Sequence, residues 1–238
     1  MKRLFTSPLI LAAAIALATG STSALADQGT YLNSNQIDLT KVLAPPPVLG
    51  SAKQKADLAR VLEVQRTRTP EQVASAKADL SKSVFRFADV LGPSFNEANL
   101  PKTAALFDAA GKDAAMIAKG GKRYFKRPRP FVTSSEVHPT VPTNPKGFYG
   151  SYPSGHATYG YMAAILLAQM VPEKSAQIFA RGRQFGQNRI VDGVHYPSDV
   201  EAGRIDGTLI AAALMQNPKF EQDFAAAKTE VRAKLGLN

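Results

Sequence analysis

Pro153-Ser154-Gly155-His156-Ala157-Thr158-Tyr159-Gly160-Tyr161-Met162-Ala163-Ala164-Ile165-Leu166-Leu167-Ala168-Gln169-Met170-Val171 is the stretch whose reading decides the fold. From 154 to 171 it reads as a helix, and Pro172 ends it. Tyr161, Ala164, Ile165, Leu167 and Ala168 leave it apolar nearly all round, which places it at the centre of a bundle. It is too short, and too rich in Tyr and Gln, to cross a bilayer unaided, which takes about 20 apolar residues. Its first turn carries chemistry. Ser154 is a good N-cap, the free N–H groups of a helix start attract anions, and Gly155 puts no Cβ in their way. Taken alone, the turn also reads as an ordinary helix start with His156 packed at the edge of the core.

Working outward, nearly everything after Gly50 is helical. Ser51 caps a helix whose apolar face holds Ala56, Leu58, Val61, Leu62 and Val64. Thr69-Pro70-Glu71-Gln72 is a capping box with proline at the first helical position, opening a helix to about residue 80. A further helix covers 84–90, before Gly92-Pro93. Leu100-Pro101 opens another, with Ala104, Leu106, Phe107, Ala110, Ala114 and Ile117, which is expected to stop at Gly120-Gly121. Residues 126–152, rich in Pro, Ser, Thr and Gly, read as a long loop, and loops of that length in small domains are often functional. Helices follow over 173–188, over 198–216 with Ser198 and Glu201 as a capping box, and over 220–235. Few stretches alternate with period two, so the fold class is all-α, a single-domain compact helical bundle.

The N-terminus stands apart. Lys2 and Arg3 precede an apolar run from Leu9 to about Ala18, and Ala24-Leu25-Ala26 is a small-residue cleavage site. Residues 1–26 therefore read as a signal peptide and imply export, to a bacterial periplasm. Residues 27–50 form an extended, proline-rich leading segment in which Pro45-Pro46-Pro47 excludes helix. Residues 51–238 make the helical domain, long enough to bury a sizeable core. The chain has no cysteine, which removes thiol catalysis and Cys-ligated zinc. Its formal charge of +10, or about +8 without Lys2 and Arg3, suits phosphate esters, nucleic acid or lipid headgroups and does not choose among them.

Two further cassettes accompany the Pro-Ser-Gly-His turn. In the first, Asn188-Arg189 is followed by His195 and Asp199. Pro197 makes Tyr196 extended, leaving His195 in a loop before a helix whose first turn holds Asp199. A carboxylate on one imidazole nitrogen fixes the tautomer and leaves the other to attack. The bland alternative has Asp199 favouring the helix dipole and His195 at the surface. The second cassette, residues 120–131, holds Lys122, Arg123, Lys126, Arg127 and Arg129 between Tyr124, Phe125 and Phe131. It reads as a solvated basic stretch, as a nucleic-acid patch, or as Lys122 and Arg129 converging on a phosphate. The remaining histidine, His138, reads as a loop residue.

Taken in chain order, the cassettes resemble the tripartite signature of the type 2 phosphatidic acid phosphatase (PAP2) superfamily: Lys-x6-Arg-Pro, Pro-Ser-Gly-His, Ser-Arg-x5-His-x3-Asp. Lys122 to Arg129-Pro130, Pro153 to His156, and Arg189, His195 and Asp199 match it, and Asn188 stands where the signature has Ser. The rest of the chain is similar to the bacterial class A non-specific acid phosphatases, through the proline-rich start, residues 83–92 and Gly150-Ser151-Tyr152. The resemblance implies a PAP2/vanadium haloperoxidase-type bundle and a metal-independent, cofactor-free acid phosphatase acting on a broad range of phosphate monoesters. It further implies that His195 is the nucleophile, forming a phosphohistidine, with Asp199 its orienter. His156 would be the general acid, and Lys122, Arg129, Ser154, Gly155 and Arg189 would hold the phosphoryl oxygens. A homo-oligomer, a dimer, and a phosphotransferase side activity are implied as well. Neither a nucleic-acid partner nor stable membrane insertion is expected. An acid-range bell-shaped pH profile follows, because one histidine attacks neutral while the other donates a proton.

Two other functions compete with this reading. A vanadium haloperoxidase would use a similar site with vanadate in place of phosphate, though such enzymes are generally much longer. A basic nucleic-acid-binding protein using 119–131 would leave both histidine cassettes without a purpose. Asn188 is expected to leave activity in place, with Arg189 shifted by the larger amide.

Overall fold

The computed structural model describes residues 28–144 and 147–237; the expected signal peptide lies outside them. The apolar stretch is helix α7, Gly155–Met170, and its side chains are buried on almost every face. Around it lie α1 (Leu39–Val42), α2 (Ala52–Thr67), α3 (Pro70–Ala78), α4 (Ala88–Leu91), α5 (Pro101–Phe125), α6 (Pro130–Thr133), α8 (Ser175–Val191), α9 (Pro197–Leu214) and α10 (Pro218–Lys234). Among the described residues there is no strand, only an isolated bridge between Gln28 and Asn33. No described helix is long and apolar enough to cross a membrane.

Glycine lets the two long neighbours of α7 come close. A Cβ on Gly160 would sit 2.5 Å from the Gly182 carbonyl of α8, and one on Gly203 of α9 would sit 2.5 Å from the Ser154 carbonyl. Backbone thus rests on backbone where the Pro-Ser-Gly-His turn begins, which makes the turn's position a consequence of core packing. A hydrogen-bonded hub on Asp79, after α3, ties α8 down. Arg181 forks onto both Asp79 oxygens at 2.9 and 2.5 Å, Arg86 adds a third contact, and Asn188 donates Nδ2–H at 2.8 Å. Burial opposes the charge on Asp79, but Arg181, Arg86 and Asn188 outweigh it and keep the carboxyl below its usual range.

Several local expectations needed correction. Helix α5 does not stop at Gly120-Gly121; it runs on to Phe125 and ends at Lys126, which is left-handed at φ 47°. Two glycines weaken a helix but need not end it, and Gly121 packs closely against Pro153 and Leu39. The capping box of α9 is not Ser198 with Glu201. The N-cap is Tyr196, Pro197 is the first helical residue, and Asp199 reaches back 2.9 Å to accept the Tyr196 N–H. Residues 84–90 divide into a 3-10 turn, Val84–Phe87, and the single turn of α4. The leading segment contains α1, capped by Asp38, and the long loop contains α6. Asp113 of α5 anchors the leading segment by accepting the N–H groups of Thr30, Tyr31 and Leu32.

Gly203→Ala is expected to lower stability by about 1–3 kcal/mol through overpacking. Thermal unfolding reads this directly, and an unchanged midpoint would show that the α7–α9 approach has slack.

Candidate active site

His195 sits in the short loop between α8 and α9, and Asp199 in the first turn of α9. The spacing brings His195 Nδ1 to 3.3 Å from Asp199 Oδ2. With the proton on Nδ1, Nε2 is the lone-pair nitrogen, and Arg129 Nη1 donates to it at 3.1 Å. Burial and the Arg129 charge push the His195 pKa well below its ordinary value, more than Asp199 raises it, so the ring is neutral.

Asp199 is fully buried. It accepts from Ser151 Oγ at 2.6 Å, Arg127 Nη1 at 2.6 Å and the Tyr196 N–H at 2.9 Å. Burial works against its charge, but His195, Arg127 and Ser151 prevail and hold it at about 2. Arg127 is itself a bridge: Nη2 donates to Asp57 of α2 at 2.9 Å, and the guanidinium lies 4.1 Å from the centre of the Tyr196 ring. Ser198 bonds both Arg127 and Asp57.

Three other cations converge on the same region. Lys122 Nζ donates to the Gly150 and Pro153 carbonyls, each at 2.6 Å, and so braces the strip of chain that leads into α7. Burial and the neighbouring Arg129 pull it down to about 7. Arg129 donates to the carbonyls of Gly147 and Val194, both at 2.7 Å. Arg189 donates to the Ala76 carbonyl at 2.8 Å, while its buried Nε has no hydrogen-bond partner among the described residues. A ligand oxygen would satisfy such a donor.

His156 Nε2 lies 3.2 Å from the Leu80 carbonyl. Burial, followed by the charges of Arg189 and Lys82, brings its pKa to about 3. Arg129, Arg189, His156 and His195 line one cavity of about 230 Å³, whose remaining wall includes Phe131, Val141, Pro142 and Val194. Ser154 caps α7 by accepting the Ala157 N–H, and Lys122 approaches the position a Gly155 side chain would take.

The fold therefore gathers the sequence-predicted residues on two shells. Arg129, His156, Arg189 and His195 face the cavity; Lys122, Ser154, Gly155 and Asp199 brace it. Asn188 turns away from it, toward Asp79, which explains how an amide fits there: it anchors α8 beside Arg189. His138 is exposed and engaged at its backbone by Gln65 and Arg68. Sequence reading missed Arg127, Ser151 and Asp57. Arg127 was one basic residue among five in its cassette, and nothing local marks the cation that bridges two buried carboxylates.

The sequence pattern of the PAP2 superfamily matches residues 106–223. A non-specific acid phosphatase of Providencia stuartii is 32% identical over 83% of this chain and 82% of its own length. The chain belongs to the PAP2 superfamily and is one of its acid phosphatases. An acid phosphatase of Zymomonas mobilis is 36% identical over 79% of this chain and 74% of the relative. Among solved structures, a bacterial vanadium-dependent iodoperoxidase superposes with a TM-score of 0.58 at 18% identity. That match covers 73% of this chain and 52% of the other, and it shows a common helical fold.

Arg127→Met should destabilise this phosphatase by about 3–5 kcal/mol, because Asp57 and Asp199 would lose a buried counter-charge. Urea unfolding measures it. A loss under about 1 kcal/mol would mean that the two carboxylates do not depend on Arg127.

Proposed function

We propose that this acid phosphatase hydrolyses phosphate monoesters through a phosphohistidine on His195, without a metal. The observation that carries the reading is the ordered line Asp199···Nδ1–His195–Nε2, with Nε2 opening on the cavity that Arg129, Arg189 and His156 share. In the first step Nε2 attacks phosphorus and the P–O(ester) bond breaks. His156 gives its proton to the leaving oxygen, and the imidazolium formed at His195 is stabilised by Asp199. In the second, His156 takes a proton from water, whose oxygen attacks phosphorus, and the P–N bond breaks. An alcohol in place of that water would give phosphotransfer.

Charge on the equatorial oxygens has to be met by donors already in place. Lys122, Arg129 and Arg189 supply it, with the Ser154–Gly155 turn. Binding exchanges carbonyl partners for phosphoryl oxygens, and Arg189 Nε gains a first partner. The open, partly apolar remainder of the cavity selects weakly for the alcohol portion, which supports a broad substrate range. We also infer export to the periplasm, from residues 1–26, and a dimer, from the family resemblance.

His195→Ala is expected to abolish turnover of p-nitrophenyl phosphate while EDTA leaves the parent enzyme active; wild-type-like rates in the variant would end the mechanism. His156→Ala should slow alkyl phosphates by about 10²–10⁴-fold and p-nitrophenyl phosphate far less, since that leaving group needs little protonation. Equal losses on both substrates would remove His156 as the acid.

The pH dependence has a definite sign. His156 acts when protonated, so activity is lost as pH rises through its pKa, and cations and burial keep that pKa low in the free enzyme. A bound phosphoryl dianion counters those cations and raises it. The alkaline limb of kcat should therefore lie at higher pH than that of kcat/KM, and coincident limbs would contradict this electrostatic account.

A further inference from the structure

One buried acid between α7 and α9 has no part in the reaction above. Asp206 is fully buried; its Oδ2 lies 2.9 Å from the Thr158 hydroxyl, and its Oδ1 has no hydrogen-bond partner among the described residues. The same hydroxyl lies 3.1 Å from the carbonyl oxygen of Ser154, the N-cap of α7. A hydroxyl has one proton to donate. It can serve the Ser154 carbonyl only if the proton between Thr158 and Asp206 comes from Asp206. Both contacts are satisfied together only when Asp206 is a neutral acid: its O–H donates to Thr158, and Thr158 donates to Ser154.

The ionised form is worse on two counts. It leaves a charged oxygen bare in a dry interior, and it turns the Thr158 proton away from Ser154. The charge that acts on Asp206 is Lys122, on α5; α7 offers it the Thr158 hydroxyl, and Asp199 stands two turns earlier on α9. Burial pushes the carboxyl up to about 7, with Thr158 and Lys122 pulling the other way.

We propose that Asp206 is a positioning residue of the phosphoryl site: as a neutral acid it holds the Ser154–Gly155 turn through Thr158, and on ionising it reverses that chain and places a negative charge behind Lys122. This rests on the reading of that turn as a phosphoryl-binding element. It makes the site a better anion receptor in acid than its visible cations alone would make it.

The test uses the full chain and inorganic sulfate, whose charge is constant from about pH 5 to about pH 8, so that the ligand's own titration does not enter. Asp206→Asn keeps a donor toward Thr158 and cannot ionise. Lys122 titrates over that range in both proteins, so the two are compared with each other: sulfate affinity of the parent protein, by calorimetry, is expected to fall about tenfold more than that of Asp206→Asn. Infrared difference spectra at acid pH should show a protonated-carboxyl band that the variant lacks. Thr158→Val should weaken sulfate several-fold at about pH 5 and leave the band in place. Parallel affinity curves for parent and Asp206→Asn, a spectrum unchanged by that variant, or undiminished sulfate binding in Thr158→Val would each overturn the proposal. The infrared band is independent of turnover, so a failed phosphohistidine mechanism and a failed role for Asp206 are told apart.

Discussion

Asp199 must remain a carboxylate with no water around it, and much of the structure is arranged by that requirement. A buried charge of this kind persists only if every lone pair has a donor and a counter-charge lies close. The donors come from far apart in the chain: Ser151 from the loop before α7, Arg127 from just after α5, and the Tyr196 N–H from the start of α9. Arg127 then needs its own second partner, which is Asp57 on α2. Four parts of the chain are thereby tied to one oxygen pair, and His195 inherits its orientation from the result.

The cavity side of the site has the opposite character. Lys122, Arg129 and Arg189 are gathered at a cost in desolvation, which lowers the pKa of each. Repulsion from a neighbouring arginine adds to it at Lys122 and Arg129, while Asp192 works against it at Arg189. Backbone carbonyls of Gly147, Gly150, Pro153, Val194 and Ala76 hold their N–H groups in place. Such a site is preorganised for trianionic or dianionic character at the reacting phosphorus, because donors fixed by the fold need no reorganisation when charge develops. Burial, with the same field, depresses both histidines, which suits the nucleophile proposed at His195 directly and would make the acid proposed at His156 depend on bound substrate.

The local helical reading succeeded where short-range chemistry decides. Ser51 and Thr69 cap the helices expected of them, Gln72 closes its capping box, and Pro172 ends α7. It failed where packing overrode local preference. The helix continues through Gly120-Gly121, where Gly121 packs against Pro153 and Leu39, and the cap of α9 moved to Tyr196 because Asp199 is held inward by His195 and Arg127. Among site residues, those with fixed spacing in a cassette were legible. Arg127, Ser151, Asp57 and Asp206 were not, since each owes its importance to a partner more than about ten positions away or on another helix.

Residue order and spacing by themselves determined an all-α chain with an apolar central helix; the candidate residues Lys122, Arg129, His156, Arg189, His195 and Asp199 came from the resemblance of three short cassettes to the PAP2 signature. The helices are properties of periodicity and capping, and the cassettes of short intervals along the chain. Only the tertiary structure decided that Asp199 is dry and charged, that Asn188 faces Asp79, and that Asp206 lies beneath the Ser154 turn. The physical reason is that burial and long-range hydrogen bonding set the charge state of an acid, and neither quantity exists until the helices have packed.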